Sequence, residues 1–227
     1  MKAIKTFNMI EDGDKILLIS KDSMLLAKMM SELRDFSHLN FKIKVYIYKK
    51  FLTRCEVDFT KQQDFFKEIS LDMEYIELNL PKSKLKEILS CQWCSYARRI
   101  TLFKLCEKRY NKIALHHLDD GITTLFMNMI NNRNWALMPP VNKMKHGDLK
   151  IIRPLSFVRE NDIINLVQKL SIPFSPCTCP IEKGRRKEIG NLMKIIESYE
   201  KDSIENIYFA AVKRFIKDYK NKDYITN

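Results

Sequence analysis

The chain has 227 residues, 45% of them apolar and 30% charged, with a formal charge of +12. That length supports one substantial core, and no apolar run approaches the ~20 residues needed to span a bilayer. No long apolar stretch follows the basic residues of Met1-Lys2-Ala3-Ile4-Lys5-Thr6, so no signal peptide is read and a cytoplasmic protein is expected.

Asp14 to Ser20 is a short apolar run of the kind found in buried strands. A helix follows from about Asp22 to Phe36, and Lys42 to Tyr48 alternates like a strand. Thr60 to Ile69 suits a helix and Met73 to Leu80 a strand. Pro81 then opens a short helical or irregular stretch that ends at a cysteine pair, and Lys112 to Leu115 reads as a fourth strand. From Asp119 to Asn132, Ile122, Leu125, Phe126 and Met129 fall on one helical face. Asn131 to Gly147 is polar, contains Pro139 and Pro140, and reads as a long surface loop. Leu149 to Ile152 is a strand stopped by Pro154. Arg159 to Leu170 is helical, with Ile163, Leu166, Val167 and Leu170 at the same spacing. Two helices follow, about Arg186 to Tyr199 and Ser203 to Lys220.

Strands alternating with helices predict an α/β fold: a parallel sheet of about five strands flanked by helices, with a C-terminal helical part. The expected division is an α/β domain over residues 1–180 and a helical extension of the same domain over 181–227. Ligands of such sheets bind at the carboxyl ends of the strands. That rule brings together the loops after Ile19, Leu115 and Ile152.

Three groups of residues carry candidate chemistry. Ser20-Lys21-Asp22-Ser23 follows a buried strand and opens a helix, so it serves either as an anion site or as an ordinary helix cap. Of the six cysteines, Cys55 and Cys106 stand alone. Cys106, among Leu102, Phe103 and Leu105, reads as a small buried hydrophobe. Cys91, Cys94, Cys177 and Cys179 are clustered, and in a reducing compartment such clusters point to metal or redox chemistry. Cys91-x-x-Cys94 alone fits an iron–sulfur cluster, a zinc ion or a thiol pair without metal. The net positive charge favours polyanions, although a lysine-rich composition alone produces it too. Its arginines and lysines gather after each cysteine pair: Arg98 and Arg99 after the first, and Lys183, Arg185, Arg186 and Lys187 after the second.

These motifs, in order, resemble one family. Phe7 to Ile16 resembles the segment that leads into the phosphate loop of the tRNA 2-thiocytidine synthetases, a PP-loop family with an adenine-nucleotide alpha hydrolase-like fold. Cys91-Gln-Trp-Cys94-Ser-Tyr-Ala-Arg98-Arg99 resembles its first cysteine pair and basic tail, and Lys112-Ile-Ala-Leu-His116-His117-Leu-Asp119-Asp120 its His-His-x-Asp-Asp motif. Thr124 to Met129, Met138-Pro139-Pro140, Ile152-Arg153-Pro154-Leu155, Val158 to Ile163 and Pro176-Cys177 follow in the family's order. The resemblance implies ATP-dependent adenylation of an anticodon-loop cytidine, followed by sulfur transfer through a 4Fe-4S iron–sulfur cluster held by three cysteines. Carried over, the metal ligands are Cys91, Cys94 and Cys177. The nucleotide-binding residues are Ser20, Lys21, Asp22, Ser23, His116, Asp119 and Asp120, with an aspartate helping to hold Mg²⁺. The RNA-binding residues are Arg98, Arg99, Arg153, Arg185 and Arg186. The partners implied are tRNA, a sulfur-donor protein such as a cysteine desulfurase, and a second copy of the chain as a homodimer; no membrane partner is expected.

The chain departs from the family in three places where nucleotide would be expected, and in the spacing of its second cysteine pair. The family's phosphate loop is Ser-Gly-Gly-Lys-Asp-Ser, but here Ser20 joins Lys21 directly and both glycines are missing. Those glycines let backbone N–H groups approach an anion, and their loss shortens the chain by up to ~7 Å. Tyr46 to Lys49 stands where the family ends its second strand with Asp, and Thr123 where it has Gln or Glu. Cys179 follows Cys177 one residue sooner than the family's second Cys-x-x-Cys. This pattern predicts weak or absent binding of ATP and Mg²⁺, with cluster and RNA contacts retained. It leaves open an active thiolation enzyme or a non-catalytic paralogue.

Overall fold

The computed structural model describes residues 2–19, 23–48, 59–76, 91–106, 109–144, 148–173 and 184–219. The chain divides into two compact units. One comprises Ile10–Leu115 and Ile163–Glu182; the other comprises Met1–Met9, His116–Asp162 and Lys183–Asn227.

The first unit holds four parallel strands, β1 (Lys15–Ile19), β2 (Lys42–Tyr48), β3 (Met73–Ile76) and β4 (Lys112–Ala114), in the order β3-β2-β1-β4. Its helices are α2 (Ser23–Phe36), α3 (Phe59–Glu68) and α4 (Cys91–Cys106). A strand covered on both faces needs apolar residues at successive positions rather than alternate ones. That is why Ile16, Leu17, Leu18 and Ile19 form an unbroken run and are all buried in β1. The register sets Leu17 beside Lys44 on one side and Ile113 on the other. Among the described residues β3 has a strand partner on one side, β2, and is only partly buried.

At the opposite end of these strands a buried ion cluster closes the sheet. The carboxylate of Asp14 accepts from Lys112 Nζ at 2.6 Å, the Glu11 N–H at 2.6 Å and Asn111 Nδ2 at 2.7 Å. Lys112 Nζ also donates to Glu11 at 2.8 Å. Lys112 is 2% and Asp14 3% exposed, so each charge depends on the other for compensation. This cluster joins two motifs that stand almost a hundred residues apart in sequence.

The second unit holds α1 (Lys2–Thr6), α5 (Leu118–Asn132), the antiparallel pair β5 (Val141–Lys143) and β6 (Lys150–Ile152), α7 (Arg185–Tyr199) and α8 (Ser203–Tyr219). The division between the units falls within α6 (Glu160–Lys169). Its core is built by Ile122 and Leu125 of α5, Ile189 and Met193 of α7, and Ile204, Tyr208, Ala211 and Val212 of α8, all at helical spacing and all buried. Gly121 lets α5 and α8 meet: a Cβ there would lie 2.7 Å from the Tyr208 ring. Phe7, Phe157 and Phe209 pack edge to face, with centroids 5.9 Å and 5.1 Å apart.

The predicted α/β class with a parallel sheet and C-terminal helices is what the strands and helices form, save that β5 and β6 pair antiparallel. Three local expectations change. The supposed loop between Asn131 and Gly147 contains β5, whose partner is β6 in the register Val141↔Ile152. α4 extends over Cys91–Cys106 where no helix was expected, because among its described buried side chains, Ala97, Thr101, Leu102 and Cys106, only Leu102 is a large aliphatic, too little for an apolar stripe. In α6 only Ile163 and Val167 are buried; Leu166 and Leu170 are 38% and 44% exposed, so the apolar face is narrower than its periodicity implied. Cys106 is buried as expected, and burial pushes its thiol up to about 12, leaving it unreactive.

Candidate functional site

The chain turns sharply at the carboxyl end of β4. His116 has φ +67°, a left-handed conformation uncommon outside glycine and found with Asn, Asp and His more than with other residues. Such strain concentrates at functional sites. His117 is extended and heads α5, so Asp119 and Asp120 fall in the first helical turn, where the helix dipole favours negative charge. The Leu118 N–H donates to the Val158 carbonyl at 3.1 Å, and His117 bridges in parallel to Leu155. The loop after β4 is thereby fixed against the segment that follows β6, two of the three loops expected to converge.

Asp119 and Asp120 share His117 but pair with different arginines. Asp119 accepts from Arg159 Nε at 3.0 Å and from the Glu160 N–H at 2.6 Å. The same Arg159 reaches Glu197 at 2.6 Å and Glu205 at 2.7 Å, so one guanidinium ties together α5, α7 and α8. Burial opposes the charge on Asp119, but His117, the Glu160 N–H and Arg159 outweigh it and its carboxyl lies below the usual range. Asp120 instead pairs with Arg186 at 3.2 Å, and that arginine is 58% exposed. Of the two carboxylates, Asp120 is the one whose arginine partner lies largely in solvent.

The two histidines behave oppositely. Burial opposes protonation of His117, but Asp119 at 3.7 Å and Asp120 at 3.5 Å outweigh it and raise its pKa. Burial instead drives His116 down to about 3, with Arg153 and Arg186 adding to the effect against Asp120. His116 is therefore neutral at physiological pH, and its buried Nδ1 makes no hydrogen bond. Arg153 is 6% exposed, donates to the Pro139 carbonyl, and has a buried Nε with no partner. Burial lowers its pKa to about 10, so it stays charged. Orphaned polar atoms of this kind are costly inside a protein, and here they flank the exposed Asp120–Arg186 pair.

The other expected site residues fall as follows. Ser20, Lys21, Asp22 and Cys177 lie outside the described residues, and of Ser23 only the backbone is described, as the first residue of α2. Cys91 and Cys94 occupy the first turn of α4; their backbone alone is described. Arg98 and Arg99 lie further along the same helix, both exposed, and the Arg98 carbonyl accepts from Tyr48 Oη at 3.0 Å. Arg185 and Arg186 form the exposed first turn of α7. Tyr46, where the family has an aspartate, is buried and packs edge to face on Tyr110. Thr123 Oγ1 meets Met193 Sδ at 3.6 Å. Among the described residues no group of three or more His, Cys, Asp or Glu is arranged to hold a metal ion. Arg159, Glu197 and Glu205 were not foreseen. Arg159 stood inside a quoted motif, but its partners come from distant helices whose charges look like ordinary solvated faces in sequence.

No protein-family model matches the chain. It is 31% identical over 219 residues to the tRNA-cytidine(32) 2-sulfurtransferase of Bdellovibrio bacteriovorus, covering 92% of this chain and 82% of that protein. The enzyme of the same name from Alcanivorax borkumensis is 32% identical over 237 aligned positions, covering 93% and 78%. Among solved structures, the U34-tRNA thiolase NcsA from Methanococcus maripaludis, determined with its [4Fe-4S] cluster, has the same fold, with a TM-score of 0.74 over 98% of this chain and 78% of that one at 18% identity. No described helix is long and apolar enough to cross a membrane. With relatives above 30% identity covered over most of their length, the chain belongs to the tRNA-cytidine(32) 2-sulfurtransferase family.

Proposed function

We propose that this protein thiolates tRNA at the 2-position of an anticodon-loop cytidine, using a three-cysteine iron–sulfur cluster at Cys91, Cys94 and Cys177. The observation that carries this reading is the match to 2-sulfurtransferases over nine-tenths of the chain; the sequence itself supplies Cys91, Cys94, Cys177 and the His-His-x-Asp-Asp segment. Three thiolates fit such a cluster because soft sulfur ligands hold iron and leave one iron open. When bound, the cluster supplies the sulfur that replaces oxygen at C2. The 2-carbonyl oxygen of cytidine attacks the α-phosphorus of ATP and pyrophosphate leaves. Sulfur then adds at C2, AMP departs with the oxygen, and a C2–S bond stands where C2–O stood. In this scheme Asp120 would help to hold a phosphate-bound Mg²⁺, and Arg186 would contact phosphate. Neutral His116 takes part only as a hydrogen-bonding group. Arg98, Arg99 and Arg185 hold RNA phosphates.

The test is anaerobic reconstitution followed by iron, sulfide and tRNA-thiolation assays. Cys91→Ala should abolish the brown colour and the thiolation together; a variant with unchanged colour refutes the ligand assignment. The direct Ser20-Lys21 junction favours a second reading, a tRNA-binding paralogue without adenylation. ATP–pyrophosphate exchange in the presence of tRNA separates the two, because only the enzyme catalyses it.

A further inference from the structure

We infer that Trp135 and Arg214 form a stacking platform for an unpaired RNA base, separate from the basic groups beside the cysteines. The inference rests on the tRNA reading above and adds a binding element to it. Trp135 follows α5 in a short segment held on both sides by one asparagine. The Asn128 carbonyl accepts from the N–H groups of Arg133 and Asn134, and its Nδ2 donates to the Ala136 carbonyl at 2.8 Å. Arg133 takes a left-handed conformation, φ +50°, to make this turn. The indole between these anchors is nonetheless 45% exposed. Leaving a large aromatic ring partly in water gives up hydrophobic stabilisation, and doing so on a pinned backbone fixes its position.

The surroundings select the ligand. The Arg214 guanidinium carbon lies 5.9 Å from the Trp135 ring centroid, within cation–π range. Lys213, Arg214 and Lys217 of α8 and Arg133 beside the indole are all exposed. From Gly121 to Gly147 the sequence has no Asp or Glu. Asn131, Asn132 and Asn134 are exposed alongside, and amides of this type read the polar edge of a base. An aromatic face with a cation against it, no nearby carboxylate in its own segment and amides at the rim fits a nucleotide: base on the indole, phosphate on the arginine. Met129 and Ile130 at the end of α5 are also exposed and offer a protein partner some apolar surface, but the cation over the ring and the basic residues around it favour a nucleotide.

The experiment measures binding of full-length protein to a tRNA transcript across a salt series, with Trp135→Ala, Trp135→Phe and Arg214→Ala. Trp135→Ala should weaken binding about fivefold or more with the salt slope unchanged, since stacking releases no counterions. Trp135→Phe should keep most of the affinity, and Arg214→Ala should weaken binding and lower the slope by about 0.7 to 0.9. tRNA should quench wild-type indole fluorescence, and the quenched part should be missing from Trp135→Ala. Wild-type affinity and slope in Trp135→Ala, the result expected if the ring serves a protein partner, overturn the platform and leave the tRNA reading intact. Absence of quenching in the wild type on tRNA binding overturns it without any variant. Failure of the wild type to bind tRNA at all refutes the underlying reading instead.

Discussion

Replacing Lys112 by methionine leaves the buried Asp14 carboxylate without its cation. Both side chains are almost wholly inaccessible, so solvent screening does little to soften the loss. Breaking a buried pair by removing one partner costs about 3–5 kcal/mol. Asp14 keeps two donors, the Glu11 N–H and Asn111 Nδ2, which sets the expectation at the lower end, about 3 kcal/mol. For a chain of this size each kcal/mol moves the melting temperature by about 2–4 °C, so Lys112→Met should melt about 6–12 °C below wild type. The double variant Lys112→Met, Asp14→Asn removes both charges and should recover most of the loss. Urea unfolding of the four proteins gives the coupling directly. A single-variant loss below about 1 kcal/mol, or a coupling near zero, would refute the claim that this pair locks β1 and β4.

Arg159→Leu strands Asp119, Glu197 and Glu205, which are between 16% and 32% exposed, and should cost about 2–3 kcal/mol in urea unfolding, a loss below about 0.5 kcal/mol refuting the role of this guanidinium. His117 has a raised pKa, so its charged form contributes stability below about pH 6.5 that disappears as pH rises through the folded value. His117→Gln should accordingly lie about 1 kcal/mol below wild type at pH 5.5, with the gap closing by pH 8.5; a gap independent of pH refutes the pairing. Combined replacement of Arg98, Arg99, Arg185 and Arg186 by alanine should weaken tRNA binding and flatten its salt dependence, by about 0.7 to 0.9 in slope for each phosphate no longer neutralised. Identical curves would place the RNA elsewhere.

Most of the fold was legible from local pattern: β1 and β4 fall on short apolar runs, β2 on an alternating stretch, β6 on the short run before Pro154, and β3 begins where its run begins. Helices with aliphatic stripes, such as α2, α7 and α8, were equally plain. What was missed depends on distant partners. β5 is three residues next to two prolines and exists through its pairing with β6. α4 buries Ala97, Thr101 and Cys106, residues with little hydropathy signal. At the site, the intact His-His-x-Asp-Asp pattern marked the right rim. It gave no indication that Asp119 is tied to Arg159 while the arginine partner of Asp120 is the exposed Arg186, nor that Arg153 is buried. Those differences follow from α7 and α8 folding back onto α5 within one unit.

The central claim, 2-thiolation of tRNA, is tested most directly by nucleoside analysis of tRNA incubated anaerobically with the reconstituted protein, ATP and sulfide. The account predicts 2-thiocytidine that requires Cys91, Cys94 and Cys177, formed slowly by the chain as it stands and faster when two glycines are inserted between Ser20 and Lys21 to restore close backbone approach to phosphate. No 2-thiocytidine from either protein, with iron and sulfide bound and tRNA engaged, would contradict it.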